Sequence, residues 1–130
     1  MDAERQMKFM MMIKSGEDRK VLPKELREAI GRISAGPAKG TVVANGALAS
    51  TAAGMRIRIS DGQLMATDGP FTETKEVVGG FAILEFASQE EAFKGAKEFM
   101  ELYRKHWPGW EGEMEVRRIL TAEEYAKIAD

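Results

Sequence analysis

Hydrophobic and polar residues fall into short runs of changing period along this chain. The first, MKFMMMIK from Met7 to Lys14, is apolar through its centre with a lysine near each end. At a period of two, Met7, Phe9, Met11 and Ile13 share one face and Met10 and Met12 the other, which predicts a strand covered on both sides. A polar loop, SGEDRK, follows. Pro23 then suits a first helical turn, and Leu26, Ala29, Ile30 and Ile33 repeat at helical spacing until Gly36-Pro37 stops them. TVVANGALAS, from Thr41, reads as a strand of small residues. MRIRIS, from Met55, alternates, which predicts Met55, Ile57 and Ile59 facing inward and Arg56 and Arg58 outward. Asp61-Gly62 marks a tight hairpin from this strand into QLMAT.

VVGGFAILEFA, Val77 to Ala87, is again apolar on both faces at Phe81, Ile83, Leu84 and Phe86, as a central strand would be. Ser88, with Glu91 three residues on, has the form of a capping box. The helix it opens carries Ala92, Ala96, Phe99 and Tyr103 as one stripe, joined by Phe93 and Met100, and ends near KHWPGW, where Pro108 cannot continue it. EMEVRRI, Glu113 to Ile119, is a last alternating strand, and AEEYAKIA forms a short terminal helix. The order is strand, helix, strand, hairpin, strand, helix, strand. This predicts an α+β fold: a split βαβ sheet with an inserted β-hairpin and both helices on one face. Residues 1–6 read as a flexible N-terminus, 7–120 as the domain and 121–130 as a helical tail. Two helices cover only one face of the sheet, yet two strands are apolar on the other. A second copy of the chain would cover it, so a homodimer is expected.

Composition narrows the function classes. Net charge is −2, from 19 basic and 21 acidic residues, so nothing points to nucleic acid or to a strongly charged partner. The chain has no cysteine and one histidine, His106. That excludes thiolate sites and multi-histidine metal sites within one chain. No phosphate-binding or dinucleotide glycine loop is present, so no built-in metal or organic cofactor is expected. No apolar run has transmembrane length, and the opening MDAERQ lacks the plan of a signal peptide, so a cytoplasmic protein is expected.

The densest chemistry lies in DGPFTETKE, Asp68 to Glu76. With the following GGFAILEF, the late EVR at Glu115–Arg117 and the apolar first strand, it resembles the YciI-related family in its DGPF-type branch, over about Met7 to Ile119. The resemblance implies a dimeric α+β barrel, in which two ferredoxin-like sheets pack face to face. Fold relatives include small-molecule monooxygenases, lactone isomerases, peroxidases and ligand-sensing domains, and some accompany sigma factors; activity in the family itself is largely undefined. The histidine of the family's proposed His–Asp pair belongs to the first half of the chain, so it has no counterpart here. Arg118 stands where the DGPF branch usually has proline.

Each candidate residue has two readings. Asp68 is a turn former that accepts local N–H bonds, or a general acid or base at a pocket rim. Glu73 and Lys75, two apart in an extended chain, form a solvated edge, or Lys75 holds a substrate carboxylate that Glu73 orients. Gly69 and Pro70 shape the corner, and Phe71 is expected to plug it into the core. His106 favours the C-terminal end of a helix dipole, or carries a proton. Trp107 pins a loop, or walls an aromatic ligand site with Trp110. Arg58 faces water, or binds an anion. Two functions follow. One is a small-molecule enzyme without cofactor, moving protons on an organic acid or aromatic-derived metabolite through Asp68 and His106. The other is a ligand-binding or regulatory module without turnover. Asp68 is expected to be less exposed than Glu73 or Glu76.

Overall fold

The computed structural model describes residues 6–16, 21–35 and 40–129, without the side chains of 33–35. The N-terminal residues 1–5, most of the SGEDRK loop, the Ile33 side chain and the Gly36-Pro37 stop therefore lie outside the described residues. The elements are β1 (Met7–Ser15), α1 (Lys24–Ala35), β2 (Thr41–Ala47), β3 (Met55–Ser60), β4 (Gln63–Asp68), β5 (Val77–Phe86), α2 (Gln89–His106), β6 (Gly112–Ile119) and α3 (Ala122–Ala129), with a 3-10 turn at Thr51–Ala53.

Four strands form one antiparallel sheet in the order β2-β5-β1-β6, while β3 and β4 pair as a separate two-stranded sheet. This is the expected ferredoxin-like α+β arrangement with an inserted hairpin. β1 pairs with β5 from Met7↔Phe86 to Ser15↔Val77, and with β6 from Lys8↔Ile119 to Ser15↔Gly112. The register sorts the side chains. Met7, Phe9, Met11 and Ile13 share a face with Leu84, Phe86, Met114 and Val116, and Met10 and Met12 share the opposite face with Phe81 and Ile83.

The first of these faces meets α2. Phe9, Met11, Phe86, Ala92 and Ala96 are buried together, and the rings of Phe9 and Phe86 meet edge to face at 6.1 Å. Alanines at positions 92 and 96 let the helix approach the sheet closely. Leu26 and Ala29 of α1 are also buried. Ser88 caps α2, its hydroxyl accepting from the Glu91 backbone N–H at 3.1 Å. At α3 the box is reciprocal: Glu124 N–H donates to the Thr121 hydroxyl, and Thr121 N–H donates to the Glu124 carboxylate at 2.9 Å.

The hairpin departs from expectation. Its turn forms at Asp61-Gly62, with φ of 52° and 75° at the two positions. Yet Met55, Ile57 and Ile59 are exposed, while Arg56 is half-buried. Within one chain the predicted inward side is therefore open, and of the two outward arginines Arg58 is exposed as expected while Arg56 is not. The hairpin is not a fifth and sixth strand of the main sheet, so its apolar side has no cover among the described residues. Alternation identified which side chains share a face but not what that face meets.

Candidate functional site

Two places gather the chemistry. The first is the corner after β4. Backbone contact fixes it: Gly69 N–H donates to the Gly54 carbonyl at 2.9 Å, and Phe71 N–H donates to the Thr51 hydroxyl at 3.2 Å. The Arg56 guanidinium lies over the Phe71 ring, 4.0 Å from its centroid, and donates to both Glu73 and Thr74. Phe71 is therefore stacked on a cation at the corner and does not plug into the core, because the hairpin brings Arg56 to it first. Glu73 and Thr74 share one arginine, so the extended two-residue alternation expected for this stretch is broken by a turn at Thr72–Glu73. The Glu73 carboxyl is held below the usual carboxylate range, first by its own backbone N–H and then by Arg56, with Arg58 adding attraction. Lys75 is exposed. So is Asp68, together with Glu73 and Glu76. Asp68 stands opposite Met55 on the hairpin, and the ladder places it on the same side as Ile57, Ile59, Leu64 and Ala66.

The second place is a cavity of about 630 Å³ between the main sheet and the two helices. Its existence follows from side-chain size. On the helix-facing side of the sheet, β5 presents Gly80 and Ala82 and β2 presents Asn45 and Ala47, while α2 contributes Gly95. These small groups leave room that the flanking Met11, Ile13, Leu84 and Phe99 do not fill. An aromatic cluster closes one end: Tyr103 lies 4.8 Å from Trp110 and 6.3 Å from Trp107, centroid to centroid, and Phe99 lies 5.7 Å from Tyr103. The walls are mostly apolar. The charged side chains of the lining, Arg32 and Glu98, are exposed, and Ser15 is buried at 2% exposure.

Of the six candidate residues, only Trp107 lines this cavity. Glu73 belongs to the Arg56 corner, with Arg58 close enough to act on its charge. His106 ends α2, half-buried beside Trp107. Asp68 and His106 are not brought together in the lining of one cavity. Sequence reading missed Ser15 by assigning it to the loop, although the period of two running through Phe9, Met11 and Ile13 reaches it. It also had no signal for Asn45, whose position depends on the β2–β5 register. Among the described residues no group of three or more His, Cys, Asp or Glu side chains gathers into a metal site, and no helix is long and apolar enough to cross a membrane.

A four-stranded antiparallel sheet, two helices on one side and a ligand-sized space between the layers define a ferredoxin-like α+β domain of the small-molecule-binding kind. The particular family is the YCII-related one, to which the chain belongs: the model of the YCII-related domain matches residues 7–102. No curated protein matches the chain.

Proposed function

We propose that this protein binds a small, largely apolar organic molecule between its sheet and its helices. The observation that carries this reading is the cavity itself, about 630 Å³ with apolar walls and an aromatic end. That volume and composition are typical of small-molecule sites. Within one chain, binding without turnover is favoured over proton transfer, since Asp68 and His106 do not line the cavity. The test uses p-xylene and protein NMR. Amide shifts at Ala82, Tyr103 and Trp110 are expected, with none at Ile57 on the hairpin. Ala82→Phe, which fills the floor, is expected to abolish them. No shift at the cavity, or shifts that survive Ala82→Phe, would overturn the reading.

One observation supports a second reading, catalysis at a two-chain site of a DGPF-type homodimer. Asp68 shares a side of the hairpin with Ile57 at 65%, Ile59 at 75% and Leu64 at 72% exposure. A second copy seated on that side would remove Asp68 from water and bring its carboxylate to the edge of a site shared by the two chains. Lys75 and Arg58 would then hold the anionic end of a substrate. Pairs of copies soaked with organic acids should show Asp68-dependent turnover; none would remove this reading.

A further inference from the structure

One polar atom in the cavity is unexplained by folding. Ser15 is the last residue of β1, 2% exposed, and its hydroxyl has no hydrogen-bond partner among the described residues. A buried hydroxyl without a partner carries a desolvation penalty that alanine would avoid. Its surroundings are specific. Ser15 faces Gly112 across the β1–β6 ladder. A side chain at Gly112 would come within 2.5 Å of two carbons of the Trp110 indole, so that ring lies over the glycine beside Ser15. The hydroxyl therefore sits toward the aromatic end of the cavity. The charged lining residues, Arg32 and Glu98, are exposed and so belong to its rim.

We propose that Ser15 is the specificity-determining residue of the cavity. It takes a planar aromatic ligand that carries one uncharged hydrogen-bonding group, a hydroxyl or a carbonyl, at its buried end. A serine hydroxyl both donates and accepts, so either group satisfies it. A site built to pair one polar group discriminates by leaving the wrong ligand's partner unpaired. Any charge on the ligand stays at the rim, since the charged side chains of the described lining all stand there. This inference rests on the binding reading above.

The experiment compares p-xylene with p-cresol, which have nearly the same shape and differ by a methyl for a hydroxyl. Dissociation constants come from NMR titration of wild type and Ser15→Ala. The variant is expected to bind p-xylene as wild type does and to lose about tenfold in affinity for p-cresol relative to p-xylene. Its melting temperature is expected to equal or exceed that of wild type, because an unpartnered hydroxyl has been removed. An unchanged p-cresol preference overturns the role of Ser15 while leaving the cavity a binding site. A lower melting temperature means that the hydroxyl is satisfied within the fold, and also overturns it. Failure of both compounds to bind wild type overturns the cavity reading and this inference with it.

Discussion

A methyl group placed on Gly69 would stand 1.6 Å from the carbonyl oxygen of Thr51. No rotation relieves such a contact, because both partners are backbone. The glycine lets the 3-10 turn before β3 touch the corner after β4, and the hydrogen bonds from Gly69 and Phe71 hold them there. Gly69→Ala is expected to destabilise the fold by about 1–3 kcal/mol or more, as an overpacked site with no room to shift. Gly31 is the contrasting case. It sits exposed in α1, and a methyl group placed on it would meet nothing within 4 Å among the described residues. Gly31→Ala should therefore stabilise by about 0.5–1 kcal/mol. Urea unfolding of the two variants reads both, and equal stabilities would contradict the packing at Gly69.

The Arg56–Glu73 pair predicts a pH dependence. Glu73 is held below the ordinary glutamate value in the folded chain, by its backbone N–H first and Arg56 second. A depressed folded pKa contributes stability that is present above the unfolded value and is lost as pH falls through the folded one. Carbon-detected NMR titration of Glu73 should therefore give an acid-shifted midpoint. In Arg56→Met that midpoint should rise part of the way back, since the backbone bond remains. A midpoint that does not move would mean that Arg56 and Glu73 are not paired in solution.

Much of this fold is written locally. The Asp61-Gly62 turn takes the positive φ values that its residue types allow, and Ser88 caps α2 because a short side-chain oxygen precedes an apolar stripe. The side-chain sorting of β1 follows from a period of two. What was not legible depends on partners distant in sequence. Arg56 turned inward because Phe71, Glu73 and Thr74, brought back by the corner, gave it a stack and two acceptors. The cavity is an absence, made of Gly80 and Ala82 on one strand, Asn45 and Ala47 on another and Gly95 on a helix. No single stretch encodes it. Ser15 became visible as a site residue only when the ladder put it across from Gly112, next to Trp110.

Asp68 gives a simpler expectation for the single chain. It is exposed on a hairpin that the core does not need, so Asp68→Asn should leave the urea midpoint of the monomer unchanged. A clear loss of stability would assign the carboxylate a structural hydrogen bond in the corner. Affinity of the cavity for p-xylene should also be unaffected, because Asp68 does not line it.

The last prediction concerns assembly. Two apolar surfaces face away from the buried core of one chain: the hairpin side bearing Ile57, Ile59 and Leu64, which is exposed, and the sheet face bearing Met10, Met12, Phe81 and Ile83, which is half-buried. Exposed apolar area of this extent is uncommon on a monomer, and a second copy offers both surfaces at once, related by a twofold axis. Sedimentation at micromolar concentration is expected to give a homodimer. Ile57→Asp should raise the dimer dissociation constant by at least about thirtyfold, the scale of an interface hot spot. It should leave the monomer folded, because Ile57 touches none of the buried core. Phe9→Ala is the opposite case. Phe9 is fully buried against Phe86, so its loss should cost about 3–5 kcal/mol of fold stability. A wild-type monomer at that concentration would refute the dimer. A dimer indifferent to Ile57→Asp would confine the interface to the sheet face and leave the hairpin free for another partner.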